Sequence, residues 1–469
     1  MQNIPPLHQN IFKIISSSAE KLGFPVFVVG GYVRDYYLGR LKSGDMDIDF
    51  VTVGSGIQLA KEVAAQIQDS HLGIYKQFGT AQVKAGDLEL EFVGARKESY
   101  RKNSRKPIVE DGTIEDDQLR RDLTINALSW SLNAENYGEL VDPFGGIKDL
   151  ENKIIRTPID PHQTFSDDPL RMMRAIRFAS QLDFKIEENT FSAITEMAGR
   201  ISIISKERII DELNKIIMSQ NPPLGFTMLF KTGLLKEFFP ELHNLHGVQE
   251  VKGQRHKDNF WHTLKVLENV IELGADIWLR WAAIMHDIAK PPTQRFQEDV
   301  GWTFHGHDAL GAKWTNRIFR RLGLPLDERM RYVRKLVRLH LRPIALISDE
   351  VSDSAIRRLI FDAGDDIDDL MKLCRADITS KNEEKVERYQ GNFDYVEQRI
   401  KEVEKKDHLR NWKNPLSGDE IMNALGIKPG KSVGDVKDAV KEAILNGEIS
   451  NTHEAAYEFM MNNKDEFLK

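Results

Sequence analysis

The sequence predicts an α+β protein: a head with a mixed sheet and helices, followed by an all-helical remainder. Within the first 155 residues, PVFVV, DMDIDF, FGTAQVKAG and LELEFVGAR are short strand-like runs broken by turns containing Gly or Asp. From about residue 186 the period changes, and apolar residues recur at helical spacing in ISKERIIDELNKIIM and PLGFTMLFKTGLLKEFFPEL. At 469 residues, three or four domains are expected, here 1–155, 156–245, 246–385 and 386–469, and no repeat or low-complexity tract interrupts them.

Composition excludes more than it assigns. Apolar residues make up 41% and charged residues 29%, and no apolar run is long enough to span a bilayer, so no membrane partner is expected. The start, MQNIPPLHQNIF, lacks a signal-peptide layout. One cysteine, Cys374, excludes an internal disulfide and suits a reducing cytoplasm. A net charge of −7 does not advertise nucleic-acid binding, so any RNA site must be a local basic patch.

Residues 1–22 read as an amphipathic helix. The chain is then organised by GGYVRDYYLGRLKSGDMDIDF, from Gly30 to Phe50. A short apolar strand ends in two glycines, which allow close backbone approach to a phosphate. In an extended DMDIDF, Asp45, Asp47 and Asp49 share one face while Met46, Ile48 and Phe50 take the other. Clustered hard carboxylates favour Mg²⁺ and, with it, substrate phosphates. SGIQLAKEVAAQIQ is an expected helix, and two strands follow, separated by a turn at Gly86 and Asp87. Glu89 and Glu91 share a face of the second strand.

ESYRKNSRKPIVEDGTIEDDQ, residues 98–118, is polar and aperiodic and reads as a loop. LRRDLTINALSW reads as a helix capped by Asp122 or Thr124. ELVDPFGGIKDL predicts a strand entering a Gly145–Gly146 turn braced by Asp142. In TFSDDPLRMMRAIRF, Pro169 opens a helix on which Asp168 and Arg171 share a face and offer acceptors and donors in fixed positions. An ordinary exposed ion pair is the plainer reading of those two residues.

These head motifs resemble the class II tRNA nucleotidyltransferase and bacterial poly(A) polymerase group, within the polymerase β superfamily. The resemblance implies that Gly30 and Gly31 hold a triphosphate, with Arg34 among the nucleotide-binding residues. It implies that Asp45 and Asp47 carry Mg²⁺, that Glu91 assists, and that Asp49 is a neighbour rather than a ligand. The family's RRDxTINA motif is matched by Arg121, Asp122, Thr124, Ile125, Asn126 and Ala127, which implies sugar and phosphate contacts through Arg121, Asp122 and Asn126. Residues 98–118 resemble the mobile loop of the CCA-adding members. Asp168 and Arg171 would then be the protein template that selects CTP and ATP, with Arg174 and Arg177 reaching the triphosphate. The chain departs from the pattern at Asp167, where the family usually has Glu. Glu207 and Arg208 resemble a fifth, supporting motif.

The later chain carries a second constellation: His262, the adjacent His286 and Asp287, His305, His307, His340 and Asp377. The His–Asp pair is expected at a helix centre, and imidazole with carboxylate suits a divalent transition metal. The order resembles the HD phosphohydrolase superfamily, which implies that His262, His286, Asp287 and Asp377 bind one metal, with His307 and His340 available for a second. RIFRRLGLPLDERMRYVRKLVRLHLR is strongly basic and is a candidate phosphate-contacting surface. Residues 381–407 read as a long helix, and LGIKPG with the helices after it resembles the family's C-terminal segment. The expected function is template-independent CCA addition to the tRNA 3′ end. The rivals are a poly(A) polymerase, a partial CC-adding or A-adding enzyme, and an HD phosphohydrolase with a nucleotide- or RNA-binding head.

Overall fold

The computed structural model describes residues 8–41, 47–101, 104–346, 352–380, 382–410 and 412–468. It divides into two compact units, Met1–Phe238 and Phe239–Lys469.

In the first unit, α1 (Gln9–Leu22) buries Phe12, Ile15 and Ala19 and ends at Gly23, whose φ of 68° suits a residue without a Cβ. The head sheet contains β1 (Val26–Val29), β2 (Asp47–Thr52), β3 (His71–Tyr75), β4 (Thr80–Ala85) and β5 (Leu88–Gly94). Helices α2 (Gly31–Tyr37) and α3 (Gly56–Ala64) connect them, and Ser55 caps the latter. With β6 (Arg96–Arg101), β7 (Ser104–Asp111), β8 (Ser129–Ser131) and β9 (Leu140–Val141) also assigned, the seven-stranded order is β3-β4-β5-β2-β1-β8-β9. The pairing of β2 with β5 is parallel and the rest is antiparallel, so the sheet is mixed as expected. Strand alternation turns Ile48 and Phe50 into the core, where Phe50 stacks on Phe92 with ring centroids 5.0 Å apart and meets Phe12 edge-on at 6.0 Å. Asp47 and Asp49 necessarily face the other way.

Two local expectations are corrected. Residues 98–118 are not a plain loop: β6 and β7 pair as an antiparallel hairpin, Arg96 opposite Asp111, and lead into α4 (Ile114–Leu119). A two-stranded ribbon is held by backbone hydrogen bonds and needs no apolar face, so its composition gave no periodic signal. The segment LTINALSW is not a helix. It forms one 3₁₀ turn, Thr124–Asn126, and then β8, because Gln118 donates to Ala127 O and Val141 O and Thr124 donates to Asp149. Asp142 does brace its turn, accepting from Gly146 N at 2.7 Å and Ile147 N at 3.0 Å.

Next come α5 (Gly146–Glu151), β10 (Ile154–Ile155), α6 (Pro161–Asp167) and α7 (Leu170–Leu182), then β11 (Lys185–Ile186), which pairs with β10. Helices α8 (Glu188–Met197), α9 (Lys206–Ile217), α10 (Pro222–Lys231) and α11 (Leu234–Phe238) complete the unit. Met172, Met173, Ile176 and Ala179 of α7 are buried, and α7 packs on α9 and α10.

The second unit is helical apart from two short hairpins, β12 (Glu250–Val251) with β13 (Gln254–Arg255) and β14 (Arg295–Gln297) with β15 (Gly301–Thr303). Its helices are α12 (Pro240–His243), α13 (Asn259–Glu272), α14 (Ile277–Met285), α15 (Lys290–Thr293), α16 (His307–Leu322), α17 (Glu328–Leu339), α18 (Arg342–Ala345), α19 (Asp353–Ala363) and α20 (Ile367–Ala376). The long α21 (Glu383–Asp407) buries Phe393, Val396, Ile400 and Val403. Three further helices, α22 (Gly418–Leu425), α23 (Lys431–Asn446) and α24 (His453–Asn462), and the short α25 (Lys464–Phe467) end the chain.

Candidate active site and metal centre

The parallel register of β2 and β5 sets Asp47 opposite Glu89 and Asp49 opposite Glu91, so four carboxylates share one face. They are not equivalent. Glu89 is occupied by Lys84 at 2.7 Å and Gln82 at 3.0 Å. Asp49 and Glu91 instead line a cleft of about 390 Å³, whose lining also includes Arg120, Arg121, Asp122, Asp168, Arg171, Arg174 and Arg208. Solvent reaches Asp49 through the cleft mouth, yet protein surrounds it closely enough for desolvation to raise its pKa. Arg121 offsets part of that rise, while Asp47 and Asp117 add to it. Glu91 is raised by the same desolvation and by the Asp49 charge. Two adjacent carboxylates that resist sharing charge are a natural seat for a cation, and oxygen donors of this kind fit Mg²⁺.

Asp45 lies outside the described residues. Asp49, set aside in the sequence as a neighbour, is the acid of β2 that lines the cleft beside Glu91. Gly30 has φ 77°, and a Cβ there would stand 3.1 Å from Arg121 Nη1 and 3.9 Å from Asp49 Oδ2, so glycine is what lets Arg121 lie over this backbone. Gly31 opens α2 beside Arg34.

The matched RRDxTINA residues form one network. Asp122, 7% exposed, accepts from Arg174 Nε at 2.7 Å and Asn126 Nδ2 at 3.1 Å, and Asn126 Oδ1 accepts from Arg34 Nη1 at 2.7 Å. Burial works against its charge, but Arg174 and Asn126 outweigh burial and the Asp122 pKa is lowered. Arg34, Arg174 and Arg177 surround the Phe178 ring at 4.9, 5.7 and 4.1 Å from its centroid. Arg177 also lies 2.7 Å from Glu212, so it is held in the wall rather than lining the cleft.

Asp168 lies just before α7 rather than on it, with extended backbone, and accepts from Leu170 N at 3.0 Å. Its other oxygen accepts from Arg208 Nη2 at 2.9 Å, so Arg208, read as support, orients this carboxylate. Arg171, one turn along, enters the same cleft without a side-chain partner among the described residues. The sequence reading missed Asp117, fully buried, which pairs with Arg120 and with Arg121 at 3.0 Å. Its i, i+3 and i, i+4 spacing to two arginines was a usable signal.

The second unit gathers every expected HD residue. The His286–Asp287 pair does not sit at a helix centre. It lies in the turn after α14, where a main chain no longer committed to helix hydrogen bonds can aim both side chains inward. Asp287 has His262 Nε2 at 3.4 Å, His286 Nε2 at 3.2 Å and His307 Nε2 at 3.2 Å. Asp377 lies 2.9 Å from His262 Nε2. Each imidazole is aimed through Nδ1: His286 at Ala283 O, His307 at Phe304 O and His340 at Val337 O, all within 2.8 Å, and His262 at Thr379 Oγ1 at 2.9 Å. A carbonyl only accepts, so three Nδ1 atoms carry a proton and each Nε2 is turned inward, where an unprotonated Nε2 presents a lone pair. His307 and His340 point those lone pairs at each other across 3.2 Å.

Two sets of ligand atoms could hold a metal, His262–His286–Asp287 and Asp287–His307–His340, and Asp287 bridges them. His286 Nε2 and Asp287 Oδ2 are buried without a well-formed hydrogen bond, although Lys290 Nζ stands 2.5 Å from the latter. Burial alone would discharge His286, but the Asp287 charge prevails and lifts it to about 10, while burial and the His286 charge push His340 down to about 4. The orphaned atoms and inward lone pairs fit a divalent cation. Lys290, three residues after Asp287, was not singled out in the sequence; His305 is exposed and takes no part.

The mixed sheet with its carboxylate-and-guanidinium cleft, followed by a helical unit holding an HD centre, defines a nucleotidyltransferase architecture. Comparison with known proteins agrees. Residues 26–156 match the poly A polymerase head domain, 183–245 a probable RNA- and SrmB-binding site of polymerase A, and 259–381 the HD domain. The chain is 32% identical over 437 residues to an A-adding tRNA nucleotidyltransferase of Deinococcus radiodurans, covering 91% of this chain and 93% of the relative. It is 34% identical over 316 residues to a multifunctional CCA protein of Haemophilus influenzae, covering 64% of this chain and 71% of that one. The chain therefore belongs to the tRNA nucleotidyltransferase family with a poly A polymerase head.

Solved structures share the fold. A Bacillus stearothermophilus CCA-adding enzyme in complex with CTP matches with TM-score 0.68 and 22% identity over 98% of each chain. A Thermotoga maritima CCA-adding enzyme complexed with tRNA matches with TM-score 0.62 and 22% identity over 98% of this chain and 96% of that one. No helix among the described residues is long and apolar enough to cross a membrane.

Proposed function

We propose that this enzyme adds CCA to the 3′ end of tRNA from CTP and ATP, without a nucleic-acid template, in the cytoplasm. The observation that carries the reading is the single cleft lined by Asp49 and Glu91 together with Arg121, Arg171 and Arg174. Its carboxylates suit a divalent cation and its guanidiniums a triphosphate. Asp47, Asp49 and Glu91 hold Mg²⁺ in this reading, with Asp45 just upstream on the same chain segment. When bound, Mg²⁺ lowers the pKa of the attacking tRNA hydroxyl and neutralises charge on the transferring phosphoryl group. Arg121 and Arg174 bind the phosphates in a geometry fixed by Asp117 and Asp122, and Gly30 leaves room for them. Asp168, held by Arg208, and Arg171 present an acceptor edge and a donor edge to the incoming base. The HD centre holds a divalent transition metal through His262, His286, Asp287 and Asp377, with His307 and His340 on a second ion, and phosphomonoester hydrolysis is the chemistry such a centre supports.

A second reading, addition of the terminal adenosine alone, is favoured by one observation: the relative matched across nearly the whole chain is named as A-adding. The deciding experiment offers each labelled nucleotide to tRNAs ending at the discriminator base, after the first C and after the second, with product lengths read on a gel. Three additions and a stop at CCA support the main reading. Extension only of the CC-ending tRNA refutes it in favour of A addition, and a long adenosine ladder refutes both.

A further inference from the structure

A second basic surface lies far along the chain from the residues that match an RNA-binding region. Between α16 and α17 runs a groove of about 680 Å³ lined by Lys313, Arg331, Arg334, Lys335, Arg338 and Arg342. Arg331, Arg334 and Arg338 follow one another at i, i+3 and i+7, so one stripe of α17 faces the groove, and Lys313 faces it from α16. Three of the six cations are answered locally. Lys335 pairs with Asp366 at 2.7 Å, Arg338 pairs with Asp308, and Arg342 pairs with Asp362. Lys313, Arg331 and Arg334 are exposed and have no acidic partner among the described residues. Three uncompensated cations in one groove stand out on a chain whose net charge is −7.

The groove's form narrows the ligand. From Arg331 to Arg338 the stripe runs about 10 Å along the helix axis, more than one phosphate occupies. Among the described residues its lining has no aromatic side chain on which an unpaired base would stack. Asn316 is the one amide side chain among them, so base edges are scarcely addressed. We infer that the α16–α17 groove docks the sugar-phosphate backbone of a double-stranded RNA segment, giving the second unit a tRNA contact of its own. The inference rests on tRNA being the substrate, and it adds a surface outside the 183–245 region.

The test uses the full chain, purified tRNA, and the triple variant Lys313→Ala/Arg331→Ala/Arg334→Ala. Three lost phosphate contacts should lower the slope of log Kd against log salt by about 2–3 and weaken tRNA binding on the order of 100-fold near 0.15 M salt. The KM for tRNA should rise while the KM for nucleotide stays put. The charge-preserving variant Lys313→Arg/Arg331→Lys/Arg334→Lys should bind nearly as wild type, and each of Arg331→Ala and Arg334→Ala alone should remove about one from the slope. A blunt-ended RNA duplex should compete with tRNA for wild type and much less for the triple variant. Unchanged Kd and slope in the triple variant would overturn the inference. So would loss of binding to anionic vesicles without loss of binding to RNA. If wild type binds tRNA but incorporates no nucleotide, the functional reading fails and the groove stands; if incorporation is normal and the triple variant binds tRNA as wild type does, only the groove falls.

Discussion

Asp122 is the joint between α7 and the RRDxTINA residues, and removing it should show in both stability and kinetics. Its carboxylate accepts from Arg174 Nε at 2.7 Å and from Asn126 Nδ2 at 3.1 Å. At an effective dielectric of ~20, charges about 4 Å apart attract by about 4 kcal/mol, and desolvation cancels much of that. Truncation has a different consequence: it strands Arg174 with no carboxylate in hydrogen-bonding range among the described residues. Breaking a buried pair in this way costs roughly 3–5 kcal/mol, and because the Arg174 side chain is 35% exposed the lower end applies. Asp122→Ala should therefore lower Tm by roughly 6–12 °C, at ~2–4 °C per kcal/mol for a unit of this size. Asp122→Asn keeps an acceptor and should lose about half as much. The folded-state pKa of Asp122 is lowered, so its stabilisation is complete above the unfolded carboxylate value near 4 and disappears as pH falls through the folded value. The gap between wild type and Asp122→Asn should accordingly be full at pH 7 and start to close below about pH 4. Thermal unfolding at both pH values, with nucleotide KM at pH 7, measures all of this. A Tm within 1 °C of wild type for Asp122→Ala, together with an unchanged KM, would refute the reasoning.

Asp49→Asn and Glu91→Gln should each reduce incorporation on the order of 10²–10³-fold or more, the scale for losing one electrostatic stabiliser. Both groups have raised folded-state pKa values, so each opposes folding once pH exceeds its unfolded value; without divalent cation at pH 7.5 the variants should melt above wild type, an order reversed by Mg²⁺. Differential scanning fluorimetry with and without Mg²⁺ tests this, and lower melting in chelator contradicts it. Phe178→Leu preserves apolar bulk but removes the ring faced by three guanidiniums, so nucleotide KM should rise up to about tenfold, with Phe178→Tyr near wild type. Equal KM values for the Leu and Tyr variants would show that the ring only fills space. Asp287→Ala breaks both metal-ligand sets at once, so elemental analysis should show divalent metal lost while CTP and ATP incorporation persists. Loss of incorporation in a variant with native circular dichroism would tie the two centres together.

What could be read ahead of the structure follows from how local each cause is. The alternation in DIDF is local, and Ile48 and Phe50 do enter the core while Asp47 and Asp49 face out. Which partner each acid meets is not local. Asp47 and Asp49 satisfy the same period of two, and the β2–β5 register sets Asp49 beside Glu91 and Asp47 beside Glu89, which Lys84 occupies. The 3₁₀ turn and strand at 124–131 were misread for a related reason. TINALSWS is apolar enough for either period, and bonds from Gln118 and to Asp149, up to 25 residues away, decide it.

The HD centre shows the same division from the other side. The residue types were legible because imidazole and carboxylate in that order have few uses besides metal binding. The resemblance also implied their convergence, but not how the rings are aimed, since His286, His307 and His340 are each held by a main-chain carbonyl that any residue could supply, here Ala283, Phe304 and Val337. A carbonyl three residues upstream serves His286, His307 and His340 alike, so the repeated i−3 bond fixes one tautomer in all three. With Nδ1 already committed to a carbonyl in both rings, the His307 and His340 Nε2 atoms are left facing each other at 3.2 Å. Asp287 is common to both ligand sets, so a divalent cation in either would take up Nε2 atoms that the carbonyls have turned inward.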